Sequence, residues 1–164
     1  MMSNGPFKKI LIYVDGSEGC IAAAQLGMVM ARQTGAELLA LYVVNISLLK
    51  ELTKAKIFVK IEEMDYEQDL LQDGKRYLNY IEEMARAKQI PIRTELVKGV
   101  VNKEVVDKAA SYGADLLVMG ELEPIRSRTD SYHDEAELIF RKVNCTVLVV
   151  KDGDRAEALY QSLD

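Results

Sequence analysis

The sequence predicts an α/β protein, a doubly wound five-stranded parallel sheet with helices on both faces. Three observations carry this. Short apolar runs rich in Val, Ile and Leu recur as KKILIYVD, AELLALYVVN, ADLLVMG and CTVLVV, the pattern of strands buried on both faces. Between them lie longer stretches with apolar residues at helical spacing. Strands and helices alternate, and that order implies parallel strands joined by right-handed crossovers.

The first strand, Lys8 to Asp15, ends in the turn Asp15-Gly16-Ser17-Glu18. Ser17 is the expected cap of a helix that buries Ile21, Ala24, Met28 and Ala31, and Gly35 stops it. Small residues at Ala23, Ala24 and Gly27 let this helix lie close to the sheet. The second strand spans Ala36 to Asn45. Ile46 to Ile61 is too polar for a central strand and reads as irregular or part of a helix. A long helix is expected from about Glu62 to Lys88, with Tyr66, Leu70, Tyr77, Ile81 and Met84 or Ala85 as its apolar stripe. Gly74 interrupts that helix at a cost of ~1 kcal/mol relative to alanine. Pro91 to Gly99 alternates apolar and polar residues, as a strand nearer an edge does.

Asn102 is the expected cap of a short helix that uses Val105, Val106, Ala109 and Ala110 and closes at Gly113. The strand Ala114 to Gly120 then hands over to a long loop. Ser131 to Asp134 fits the start of a further helix, Asn144 is a left-handed exit, and the last strand follows. DGDRAEALYQSLD reads as a short amphipathic helix or a disordered end.

Composition narrows the function. At 164 residues, 49% hydrophobic and 29% charged, the chain is one domain, 1–164, with a sizeable core. The formal net charge of -5 argues against nucleic acid, because neutralising phosphates needs a basic footprint. No apolar run approaches the ~20 residues that span a bilayer, so no membrane partner is expected. The polar start MMSNGPFKKI lacks the apolar core of a signal peptide, and a cytoplasmic protein is the simplest expectation. The run Lys50, Lys54, Lys56 and Lys60, followed by Glu62, Glu63, Asp65, Glu67 and Asp69, reads as a solvated helix face. Cys20 and Cys145 stand far apart beside apolar residues, as reduced core or near-core thiols do. A single histidine, His133, leaves no His-pair metal site.

KKILIYVDGSE, LLALYVV, the helix and strand leading to VKG, EVVDKAASYGADLLVMG and CTVLVV stand in an order that resembles the universal stress protein family. The resemblance runs from about Lys8 to Lys151, leaving 152–164 as a C-terminal tail. It implies a Rossmann-like cytoplasmic protein, commonly a dimer, acting in stress tolerance. One group of that family binds ATP or AMP through G-x2-G-x9-G-[S/T] after the fourth strand, where glycines let backbone N–H groups approach phosphates. Here Gly120 matches the first glycine, whereas Glu123, His133 and Asp134 occupy the other positions.

Those substitutions add side chains where the backbone must come close. They also place Glu123, Asp134, Glu135 and Glu137 around the phosphate end. Two like charges ~4 Å apart cost about 4 kcal/mol at an effective dielectric of 20. Arg126 and Arg128 could counter part of this, or simply be solvated or paired with the same acids. By the resemblance, Tyr13, Val14, Asp15 and Val43, with Gly120, match positions holding the base and ribose. Asp15 reads equally well as a turn former, and Gly120 as serving only the turn.

The leading expectation is therefore a homodimeric regulatory or interaction protein with an unknown protein partner and no cofactor. Its last strand, Val147, Leu148, Val149 and Val150, pairs with its copy in the manner the family implies; a buried internal strand is the plain alternative. The second expectation is an adenine-nucleotide-binding member with an altered phosphate site. An enzyme is not expected, because the S-G-G-x-D-S loop of ATP pyrophosphatases and the phosphoacceptor Asp of response regulators are both missing; a weak ATPase stays open.

Overall fold

The computed structural model describes residues 5–46, 50–51, 54, 60–121 and 131–164. Five strands form one sheet: β1 (Lys9–Val14), β2 (Glu37–Asn45), β3 (Arg93–Gly99), β4 (Leu116–Gly120) and β5 (Thr146–Val150). Their spatial order is β3-β2-β1-β4-β5, and every neighbouring pair is parallel. The helices are α1 (Glu18–Thr34), α2 (Lys60–Ala87), α3 (Val101–Tyr112), α4 (Ser131–Lys142) and α5 (Gly153–Gln161). This is the doubly wound α/β sheet that the alternating pattern predicts.

Strand pleating sorts the core into two halves. Ile10, Ile12 and Val14 of β1 face α1, α2 and α5, joining Ala24, Met28, Leu78, Ile81, Ala156 and Tyr160. Leu11 of β1, with Leu39 and Leu41 of β2, faces the other way, against Val101, Val105 and Ala109 of α3 and Ile139 of α4. β1 is thus covered on both faces and paired on both edges, which accounts for its unbroken apolar run.

The long helix starts two residues before the expected Glu62. Gly74 within it has a packing role. A Cβ there would lie 2.6 Å from Tyr42 Cδ1 and 2.8 Å from Leu96 Cδ1. The helix gives up propensity so that it can press against β2 and β3. It ends at Gln89, which takes a left-handed φ of 58°, while the Ile90 N–H returns 2.8 Å to the Ala85 carbonyl. That is the Schellman exit, made here without glycine.

Several local expectations are corrected. Ser17 holds the N-cap position of α1 but makes no side-chain cap bond; its hydroxyl donates to Asp15 instead. Val100, not Asn102, is the N-cap of α3, and Asn102 lies inside the first turn. Asn144 is not left-handed, since Gln89 is the one non-glycine residue with positive φ among those described. The tail resolves its alternative in favour of a helix, α5, packed on α1. Its Tyr160 hydroxyl donates to the Met84 carbonyl at 2.7 Å, and Lys88 Nζ donates to the carbonyls of Gln161 and Leu163. Most of the uncertain stretch between Ile46 and Ile61 lies outside the described residues, as do Lys56 and the side chains of Lys60, Glu62 and Glu63.

Candidate functional site

β1 and β4 are neighbours, but the chain leaves them for opposite faces of the sheet. It passes from β1 into α1 on one side, and from β4 towards α4 on the other. The crevice at their carboxyl ends is where open α/β sheets hold ligands. The register from Ile10↔Leu116 to Ile12↔Val118, continued along the strands, sets Val14 level with Gly120. Because Val14 pairs with Tyr42, Val43 stands level with Asp15. The topology therefore gathers Tyr13, Val14, Asp15, Val43 and Gly120 at one end of three adjacent strands.

Their exposure differs. Val14 is fully buried and Val43 nearly so, so neither side chain is open to solvent; β2 runs two residues past Val43, to Asn45. Asp15 is exposed. One of its oxygens, Oδ1, accepts the Ser17 N–H at 2.9 Å and the Ser17 hydroxyl at 2.5 Å, an Asx turn that closes the loop. Gly16 permits this turn through its φ of 82°. Beside it, a Cβ on Gly16 would sit 3.4 Å from the Tyr77 ring and 3.8 Å from that of Tyr42, so two aromatic rings line this side of the turn.

Burial, with smaller pushes from Asp15 and Glu135, drives the Tyr13 phenol far above its ordinary range. Burial and then Asp73, Tyr77 and Asp15 raise Tyr42 to about 12. Cys20, only 1% exposed, is pushed up to about 11 by burial and then by Asp15, against backbone N–H donors that favour its thiolate. Its position near the start of a helix does not activate it. Cys145 is also raised, chiefly by burial.

Gly120 has a packing explanation of its own. A Cβ on it would lie 2.5 Å from the Gly19 carbonyl carbon and 2.6 Å from its oxygen. The first turn of α1 thus rests directly on the end of β4, backbone against backbone.

The sequence reading missed a polar contact between α3 and α4. Val100 at the start of α3 has no side-chain acceptor, and the acceptor comes from α4. Glu135 Oε2 takes the Asn102 N–H at 2.6 Å and Asn102 Nδ2 at 2.9 Å. Lys142 Nζ donates to Asn102 Oδ1 at 3.2 Å, so one buried amide ties both ends of α4 to α3. Glu137, by contrast, turns to solvent and pairs with Arg141 at 2.7 Å; it does not face the crevice. Glu123, Arg126 and Arg128 lie outside the described residues, as do the side chains of His133 and Asp134.

The two sheet edges are unlike. β3 carries Arg93, Glu95 and Lys98, which pair with one another or with Lys108 and Glu67. β5 has no charged residue: Val147, Leu148 and Val149 are half-buried and Val150 is buried. Among the described residues no group of three or more His, Cys, Asp or Glu is placed to hold a metal ion, and no helix is long and apolar enough to cross a membrane.

Residues 6–151 match the sequence model of the universal stress protein family. The chain belongs to that family. Universal stress protein MJ0531 of Methanocaldococcus jannaschii is 32% identical over 145 residues, spanning 88% of this chain and 82% of its own length. Among solved structures, the hypothetical protein MJ0577 superposes with a TM-score of 0.69 at 23% identity, covering 88% of this chain and 95% of that one. A universal stress protein solved in complex with cAMP gives 0.66 at 17% identity, covering 90% and 99%. At such identities the structural matches speak for the fold. The family match stops at Lys151, just before α5.

Proposed function

We propose that this universal stress protein is a cytoplasmic regulatory or interaction protein of the stress response, a homodimer through β5 that does not bind ATP by the usual glycine motif. The contrast between the two sheet edges carries the reading. An edge strand offers a row of unpaired N–H and C=O groups, and charges are the usual guard against unwanted pairing. β3 is guarded by ion pairs, whereas TVLVV at β5 is unguarded. An edge left apolar fits a strand that pairs with a second copy of itself. Size-exclusion chromatography with light scattering at micromolar concentration tests this. A dimer is expected, and a clean monomer removes the β5 reading.

The crevice supports the second part of the reading. Gly120 is accounted for by its contact with Gly19, Asp15 is engaged by Ser17, and the Asn102 N–H in the first turn of α3 is taken by Glu135. No residue is assigned a catalytic role. With ATP, ADP, AMP or cAMP at millimolar levels no thermal shift is expected, whereas a ligand at 100 times its dissociation constant would stabilise by ~2.7 kcal/mol.

A second reading keeps adenine-nucleotide binding with an altered phosphate site. It is favoured by the cAMP complex of a structural neighbour and by the assembly of Tyr13, Asp15, Val43 and Gly120 at one crevice. A saturable shift in the same titration selects it over the first.

A further inference from the structure

We propose that the outer face of α1, together with the end of α2, is a helix-docking groove, filled here by α5 and open to a partner's amphipathic helix that displaces it. The proposal rests on the interaction-protein reading above and names the kind of partner; it does not depend on pairing through β5.

α1 is covered on more than the side that meets the sheet. From Cys20 to Ala31 it has no exposed residue, and a helix buried all round needs a second cover. Gly27 marks the sheet side, where a Cβ would meet Ile12 and Leu38. Ala22, Gln25 and Val29 are buried as well, and helical spacing sets them in a row on the opposite side. α5 packs on α1 along that row. At one end a Cβ on Gly153 would lie 3.5 Å from that of Ala22; at the other, Arg32 donates to the Asp164 carbonyl at 3.1 Å.

α5 fills the groove as recognition helices do, through anchors at i, i+3, i+4 and i+7. Ala156 and Tyr160 are buried, and Leu159 and Leu163 pack partly buried against the same core. The Tyr160 hydroxyl reaches the Met84 carbonyl in the last turn of α2. Lys88 Nζ stands 5.3 Å from the Tyr160 ring centre and donates to the Leu163 carbonyl at 2.8 Å. Two cations, Arg32 and Lys88, thus meet the carbonyl end of the docked helix, which suits its dipole and fixes its direction. The partner is therefore a short helix carrying a small residue, a Leu-Tyr pair and a further Leu at these spacings.

α5 is also suited to leaving. At 9 residues it is too short to hold a helix in water alone, so it is folded only while seated. Two exposed residues, Lys151 and Asp152, join it to β5, and Asp152 makes no side-chain cap bond. The family match ends at Lys151, so the groove belongs to the family core and its occupant does not. Tethered in this way, α5 competes with a partner helix at an effective concentration set by its own linker.

Full-length Tyr160→Ala loosens the occupant and leaves the groove intact. A labelled peptide with the sequence of residues 151–164 is titrated by fluorescence anisotropy into wild type and Y160A, with folding checked by circular dichroism. Y160A should bind it about tenfold more tightly than wild type or better, and a peptide carrying Ala156→Glu should bind neither. No binding to folded Y160A overturns the proposal, and so does equal binding of the altered peptide or equal affinity for the two proteins. Hydrogen exchange of the wild type tests displacement without any variant. The α5 amides should be about a hundredfold less protected than those of β1; equal protection overturns the proposal. If Y160A forms larger oligomers that the peptide disperses, the occupant is α5 of a second copy and the partner helix falls. Light scattering that shows a dimer with no peptide bound removes the groove and leaves the interaction-protein reading standing.

Discussion

Replacing Gly120 by alanine separates two reasons for a glycine at the end of β4. If the residue serves phosphate binding, the change weakens a ligand and leaves the fold alone. If it serves the seat of α1, the fold itself pays. An added Cβ would stand 2.5 Å from the Gly19 carbonyl carbon, 2.6 Å from its oxygen and 2.9 Å from its Cα. Carbon atoms are comfortable near ~3.5 Å, so one backbone must retreat by about 1 Å. Both backbones are held, β4 by β1 and β5 and α1 by its own hydrogen bonds. Overpacking costs ~1–3 kcal/mol when side chains can yield; with backbone on both sides G120A should cost about 3 kcal/mol. For a chain of this length that is a fall in Tm of about 6–12 °C. The reciprocal change is milder, because a Cβ on Gly19 comes no nearer than 3.2 Å, to the Glu121 nitrogen. G19A, which gains up to ~1 kcal/mol of helix propensity, should remain within about 1 kcal/mol of wild type. Urea unfolding without ligand measures both. A G120A protein as stable as wild type would refute the packing account.

Further outcomes follow from other contacts. G74A should destabilise by about 1–2 kcal/mol despite better helix propensity, because its Cβ would intrude on the Tyr42 ring and Leu96; urea midpoints at or above wild type would contradict this. Y160F removes the buried bond to the Met84 carbonyl and should cost about 1–2 kcal/mol; unchanged thermal unfolding would show that α5 does not depend on it. Cys20 has a folded pKa raised from 9.0 to about 11, so the folded state holds that proton more tightly than the unfolded one. Its contribution is complete below pH 9 and lost as pH rises towards 11, by about 2–3 kcal/mol. Tyr42 and Tyr112, both raised to about 12, act in the same direction at higher pH. Stability measured from pH 7 to 11 should be level at first and then fall, and C20A should delay the fall; a level curve through pH 11 would contradict the assignment.

The sheet was legible in the sequence because its information is local. KKILIYVD and ADLLVMG announce strands buried on both faces, and Gly35 and Gly113 announce helix exits, which adopt φ of 74° and 76°. The position of the crevice followed from strand order, and Asp15 and Gly120 met there. What stayed hidden depends on partners distant in sequence. Nothing near Asn102 reveals that Glu135 will supply its acceptor, and the capping residue expected from composition proved to be a side chain buried between two helices. Gly74 looked like a flaw because the ring it accommodates, Tyr42, belongs to another element. Glu135 and Glu137 look alike in sequence, two residues apart on one helix, yet one bonds Asn102 between α3 and α4 and the other faces solvent and pairs with Arg141. Helical rotation relative to a neighbour separates them.

The place of β1 has a consequence for how the chain folds. It is the first of the five strands in chain order and the central one, flanked by β2 and β4. One flank is supplied soon, but the other comes far later: the Lys8 amide finds the Asp115 carboxylate across 107 residues. Closing so long a loop is slow compared with local pairing. Until it closes, KILIYV presents an open, strongly apolar edge, the kind of segment that aggregates when left waiting. Lys8 and Lys9 stand at the head of that edge, and Asp115 takes their backbone N–H groups at 2.8 and 3.1 Å when β4 docks. Refolding yield at rising protein concentration should therefore be limited by the arrival of β4, and a change at Asp115 should lower that yield more than it lowers the stability of the finished protein.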